Sequence, residues 1–190
     1  GSRHFSGRLL TAPEQEFRIR ELLAARDMTD WPEELQACAQ TPQFASDVRV
    51  MAARLRQEGC DPQDLTAAGM IWGVPEWQVL GPFLTDYLDV LDLEGAVDYA
   101  EAVHRARIAL TRPGAAIDVR SRVKLLVCDD LTECDPSQIR LIAQIAQCHV
   151  PCVLTADPDQ TVYGFRGAAA ERLDDLIDEF PDVSIHHLTI

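Results

Sequence analysis

The chain has 190 residues, 47% of them apolar, and a formal net charge of −14. That apolar content is enough to bury a core, and no apolar stretch approaches the roughly 20 residues needed to cross a bilayer. The acidic balance repels a phosphate backbone, which excludes a broadly basic nucleic-acid binder and confines any such contact to a local site.

The first ninety or so residues read as helices. "TAPEQEFRIRELLAARD" opens with Thr11 and Glu14 in capping-box spacing, and Phe17, Ile19, Leu22 and Leu23 supply its apolar residues. "TPQFASDVRVMAARLRQEG" repeats the design: Thr41 is placed to cap, Pro42 fits the first turn, Phe44, Val48, Met51 and Leu55 form a stripe, and Gly59 stops it. "DPQDLTAAG" is a shorter helix of the same kind. "EWQVLGPFLTDYLDVLD" and "VDYAEAVHRARIAL" are longer, the first with a possible kink at Pro82.

After "TRPGAAIDVRS" the pattern changes. "VKLLVCDD" is a continuous apolar run ending in acids, the expected look of a strand buried on both faces. "DPSQIRLIAQIAQC" is a helix with Asp135 as N-cap and Ile139, Ile142, Ile145 and Ala146 facing inward. "VPCVLTAD" is a second buried strand, "AAAERLDDLIDEF" a second helix and "VSIHHLTI" a third strand. Strand and helix alternating with short connections predict a parallel α/β sheet preceded by an all-helical module. The predicted division is 1–95 and 96–190. Six cysteines lie in apolar or helical stretches, which favours reduced thiols. "CHVPC" joins a helix end to a strand with no second ligand pair, so it reads as structure rather than as a zinc site.

In open α/β sheets the chemistry gathers at the carboxyl ends of the strands. Asp129 and Asp130 close the first strand, where a carboxylate is placed to hold Mg²⁺ beside nucleotide phosphates; a solvated turn is the alternative. After the second strand, "ADPDQTVYGFRGA" gathers Asp157, Asp159, Gln160, Tyr163, Phe165 and Arg166, with two glycines, Gly164 and Gly167, in the same loop. These offer an amide for a phosphate oxygen or a water, aromatic faces for a base and a guanidinium for phosphate. From the residues alone, nucleotide or nucleic-acid contact and plain packing stay equally open.

That stretch, Ala156–Ala168, closely resembles motif III of UvrD/Rep/PcrA-type superfamily 1 DNA helicases, G-D-x-D-Q-S-I-Y-x-[FW]-R-G-A, with three conservative changes in thirteen positions. "VKLLVCDDLTECDPSQ" looks like the family's motif II segment, L-L-V-D-E-x-Q-D-x-N-P-x-Q, and "VDYAEAVHRARIAL" is similar to the helix leading into it. The resemblance covers roughly 95–190, and the helical region is consistent with the family's inserted subdomain 1B. It implies a partial RecA-like P-loop motor domain, 1A, working with ATP and Mg²⁺ on single-stranded DNA and single/double-strand junctions. Residue by residue, it implies that Asp129 coordinates Mg²⁺, Asp130 orients the attacking water and Gln160 senses the γ-phosphate. Tyr163 would support the loop, Phe165 stack on a base and Arg166 lie beside it.

The sequence also departs from the family. Asp130 stands for the usual Glu, Thr132 for the motif II Gln and Ala156 for the motif III Gly. No G-x-x-x-x-G-K-[ST] occurs. The expectation is an internal fragment, inactive alone, of a bacterial cytoplasmic 3′–5′ helicase of repair or recombination. A dimer or a distorted sheet is expected where the phosphate-loop strand would pair. The eroded motif II would suit a secondary subunit of an Adn-type or Add-type helicase–nuclease pair. The alternative is a non-catalytic DNA-binding or scaffold subunit with a degenerate ATPase site.

Overall fold

A computed structural model describes residues 7–157, 179–180 and 183–187. The chain divides into two compact units, 1–102 and 103–190. In the first, β1 (Arg8–Leu9) is followed by five helices: α1 (Ala12–Ala25), α2 (Glu33–Cys38), α3 (Pro42–Gln57), α4 (Pro62–Trp72) and α5 (Pro75–Leu93). The two-residue β2 (Ala96–Val97) then returns to pair in parallel with β1, Arg8 opposite Ala96 and Leu9 opposite Val97. The division falls within α6 (Tyr99–Leu110).

Local signals set these helices. The Glu14 carboxylate accepts from the Thr11 N–H at 2.8 Å, closing the first turn of α1, and the Thr41 hydroxyl accepts from the Phe44 N–H at 3.2 Å to cap α3. Pro42, Pro62 and Pro75 each occupy a first helical position, where no N–H is missed. Pro82 lies inside α5, which continues through it. Helices α4 and α5 meet closely at Gly81, where a Cβ would stand 1.9 Å from Thr66 Oγ1 and 2.6 Å from the Pro62 carbonyl. Only glycine fits there.

The core of this unit is built on Ile19 and Leu23 from α1, Phe44, Ala45 and Val48 from α3, and Phe83, Leu84, Tyr87 and Leu91 from α5. Trp31 meets the Phe83 ring edge-on at a centroid distance of 5.9 Å. Phe17, one of the apolar residues of α1, is 55% exposed; Ile19 and Leu23 carry the buried face. This unit also buries an ion pair at the centre of a charged knot whose Asp61 is exposed. Arg56 on α3 pairs with Glu101 on α6 (Nε to Oε2, 2.6 Å), contacts Asp61 and donates to the Cys60 carbonyl at 3.0 Å.

The second unit carries α7 (Ala115–Arg122), β3 (Leu126–Cys128), a short 3-10 turn (Leu131–Glu133), α8 (Pro136–Gln147) and β4 (Cys152–Leu154). Strands β3 and β4 are parallel, with Leu126 opposite Cys152 and Cys128 opposite Leu154, and α8 makes the crossover. The Asp135 side chain accepts from the Gln138 N–H at 2.9 Å and the Gln138 side chain accepts from the Asp135 N–H at 2.9 Å, a reciprocal cap at the start of α8. Leu131, Ile139, Ala143 and Phe180 form the core, with Cys128, Cys134 and Leu154 packed against it.

Two expectations need correction here. The strands are not buried on both faces: Leu125, Val127 and Val153 are 54%, 61% and 51% exposed, because among the described residues only the α8 side of the pair is covered. Residues 183–187 are not in a strand, and Val183 and Ile185 are exposed, so the apolar alternation of "VSIHH" does not produce a third strand over its described part. Among the described residues the architecture is helix-rich, with two small parallel sheets. No helix among the described residues is long and apolar enough to cross a membrane.

Candidate nucleotide and metal site

The parallel register of β3 and β4 brings two strand ends side by side. Cys128 faces Leu154, so the next residues on each strand, Asp129 and Thr155, become neighbours. The Thr155 N–H donates to the Cys128 carbonyl at 2.9 Å, extending the ladder by one bond. The Thr155 hydroxyl then donates to Asp129 Oδ1 at 2.5 Å and accepts from the Asp130 N–H at 3.0 Å. The Thr155 carbonyl accepts from the Leu131 N–H at 2.8 Å. One threonine thereby fixes three consecutive residues of the loop that leaves β3.

That loop makes its turn at Asp130, whose φ of 53° lies in the left-handed region. Asp tolerates this conformation better than most residues, and a glutamate there would be less favourable. Both carboxylates, Asp129 and Asp130, are exposed. The position expected to hold the family's glutamine, Thr132, is buried, and its hydroxyl donates to the Asp157 carbonyl at 3.5 Å.

The donor set suits a hard cation. Asp129 supplies an exposed carboxylate and Thr155 a neighbouring hydroxyl oxygen. Mg²⁺ takes one or two carboxylates and completes its octahedron with water and phosphate oxygens, so an exposed site of this kind fits it. Among the described residues there is no cluster of three or more His, Cys, Asp or Glu side chains that would hold a metal without such help. Cys148 and Cys152 are free thiols, the first buried and the second half-buried.

Sequence comparison decides the lineage. The family profile of the UvrD/REP helicase N-terminal domain matches residues 6–181. The chain belongs to the UvrD/REP helicase family. DNA helicase II of Escherichia coli (strain K12) is 27% identical over 127 residues, covering 66% of this chain and 17% of that protein. DNA helicase II of Salmonella typhimurium (strain LT2) is 26% identical over the same length and shares. The chain thus spans a small part of the UvrD-type relatives it matches.

Of the site residues expected from the sequence, Asp129 and Asp130 come together at the end of β3. Gln160, Tyr163, Phe165 and Arg166 lie outside the described residues, as do Asp159 and most of the second expected helix. Thr155 was not singled out from the sequence. Its signal was present, since it follows the apolar run "CVL" at the strand end adjacent to Asp129, but it is readable only once the strand register is known.

Proposed function

We propose that this chain is part of an ATP-dependent DNA helicase or translocase, combining a helical 1B-like subdomain with the motif II and motif III portion of a RecA-like motor domain. The observation that carries this reading is the Asp129–Thr155–Asp130 arrangement at two parallel strand ends, inside a segment matched to the helicase family. Nucleotide chemistry in open α/β folds gathers at that position.

In this reading Asp129 holds Mg²⁺, with Thr155 orienting its carboxylate by the 2.5 Å hydrogen bond. The metal, when bound, neutralises charge on the transferring phosphate oxygens. Asp130 orients the attacking water and accepts its proton. Gln160 reports the γ-phosphate to the adjoining DNA-binding half of the loop. There Phe165 stacks on a base of single-stranded DNA, flanked by Tyr163 and Arg166, a contact worth about 1–3 kcal/mol per base whatever the sequence. The net charge of −14 agrees with DNA contact through one short loop rather than a basic surface. Repair or recombination, 3′–5′ movement, a bacterial cytoplasmic setting and pairing with a second helicase–nuclease subunit belong to the same proposal.

A second reading, a DNA-binding subunit with a degenerate ATPase site, is favoured by Asp130 itself. Its carboxylate is one methylene shorter than glutamate and its backbone is in the left-handed region, so a base at this position stands back from the water. Misplacement of about 1 Å can cost on the order of a hundredfold in rate. The separating experiment measures DNA-stimulated ATP hydrolysis by the full-length natural protein and its Asp129→Ala and Asp130→Glu variants. An active motor loses turnover in Asp129→Ala. A degenerate one is slow and gains in Asp130→Glu. Brisk hydrolysis indifferent to both substitutions would sink both readings.

A further inference from the structure

The loop that bears Asp129 and Asp130 is bracketed by two cysteines. Cys128 is the last residue of β3 and Cys134 follows the 3-10 turn, so that only residues 129–133 lie between them. Their Sγ atoms stand 4.0 Å apart, and both thiols are free and half-buried against the Leu131–Ile139 core. A disulfide requires an S–S distance of about 2.05 Å, so the sulfurs need to approach by about 2 Å, within reach of side-chain rotation and a small shift of the loop.

We propose that Cys128 and Cys134 are a redox-modification site that forms a reversible disulfide with a hydroperoxide as oxidant, closing a clamp across the Asp129–Asp130 loop. The chemistry balances in two steps. The Cys128 sulfur takes the terminal oxygen of the hydroperoxide and becomes a sulfenic acid as the O–O bond breaks; the displaced oxygen takes up the proton given up by the thiol and leaves as an alcohol, or as water from hydrogen peroxide. The Cys134 sulfur then attacks the Cys128 sulfur. The S–S bond forms, the S–O bond breaks, and the departing hydroxide leaves as water with the Cys134 proton. Two thiols are oxidised by two electrons and one peroxide is reduced by two.

The clamp acts on the loop through contacts already in place. The Asp130 and Leu131 N–H groups are tied to Thr155 at 3.0 and 2.8 Å, and both lie inside the ring that the disulfide would close. Drawing Cys134 toward β3 therefore strains or re-seats the bonds that hold Asp129 and Asp130 in register. Burial, followed by Cys128, Asp135 and Glu133 nearby, pushes the Cys134 thiol up to about 12. The pairing stands on its own geometry; its bearing on nucleotide handling rests on the motor reading proposed above.

The test uses the reduced 190-residue chain treated with hydrogen peroxide, alkylated and digested with trypsin. Both cysteines fall in one peptide, Leu125–Arg140. The expected product is that peptide lighter by two hydrogens and carrying no alkyl group, restored to two alkyl groups by dithiothreitol. Cys134→Ser should abolish it and leave Cys128 as a trappable sulfenic acid. In the oxidised chain the amide signals of Asp130, Leu131 and Thr155 should shift while those of α1–α5 stay in place. A peptide that still takes two alkyl groups after oxidation overturns the proposal, as does pairing of Cys128 with Cys148, Cys152 or a second chain. Unmoved Asp130 and Leu131 amides would refute the clamp. None of these readouts involves nucleotide, so failure of the motor reading would show separately.

Discussion

In the first unit the ion pair Arg56–Glu101 sits with 9% and 5% of its side-chain surface exposed, surrounded by helices that bury Tyr87, Phe83 and Leu91. In the second, Asp129 and Asp130 are exposed at the end of β3, whose Val127, like Val153 on the neighbouring β4, is itself more than half exposed. The same residue types have opposite work in the two places. A buried ion pair ties the helices that carry it, whereas the Asp129 carboxylate, held by one threonine, and its exposed neighbour Asp130 leave oxygens facing solvent. On the function proposed above, the first unit is support and the second carries the chemistry.

The largest effect should come from breaking the buried pair. Arg56→Ala leaves Glu101 buried without its cation, and we expect a loss of about 3–5 kcal/mol by chemical denaturation. A loss under about 1 kcal/mol would mean that water reaches the knot and that the contrast between the units is weaker than drawn. Next, on the proposed reading, the β3–β4 pair, uncovered on one face among the described residues, is expected to associate. The chain is expected to sediment as a concentration-dependent dimer and Val153→Lys as a monomer, since a charge beside an exposed strand opposes pairing. A monomeric wild-type chain would remove this expectation. At the strand end, Thr155→Val keeps the shape but deletes the hydroxyl that holds Asp129. In the full-length natural protein Mg²⁺-dependent nucleotide affinity should fall about tenfold, with thermal stability nearly unchanged.

Two smaller effects are set by pH. Burial raises the Asp98 carboxyl above its ordinary 3.8, with the Glu101 N–H bond at 2.8 Å opposing. The folded state then holds this proton more tightly than the unfolded chain does, so stability declines as pH rises above 3.8 through the raised folded value. Asp98→Asn keeps an acceptor for that N–H and should be more stable than wild type at neutral pH, the margin vanishing near pH 3. A margin independent of pH would contradict the account. Glu14 behaves oppositely: its bond from the Thr11 N–H holds it below the ordinary 4.5, so its contribution is present above that value and lost as pH falls through the lowered one. Glu14→Gln should flatten the acid limb slightly, as read in the thermal midpoint.

Much of this was legible in the sequence wherever the signal is local. The capping residues Thr11, Thr41 and Asp135 predict their helix starts, and the runs "LLVC" and "CVLT" predict strands separated by a helix. What escaped depends on partners remote in sequence. The two-residue β1 and β2 are too short to carry a period, and they exist because Arg8 and Ala96 meet. Thr155 matters only because the register sets it beside Asp129. Exposure of Val127 and Val153 depends on what covers the sheet, which an apolar run does not encode. The left-handed turn at Asp130 has no mark in the sequence beyond Asp being tolerant of it.

The most direct test of the strand-end site is the affinity of the full-length natural protein for a fluorescent ATP analogue, measured with Mg²⁺ and with EDTA, for wild type and Asp129→Ala. Wild type should bind more tightly with Mg²⁺, by about tenfold or more, and Asp129→Ala should lose that gain while matching wild type in EDTA. An undiminished Mg²⁺ effect in Asp129→Ala would contradict the assignment of this cluster as the nucleotide-metal site.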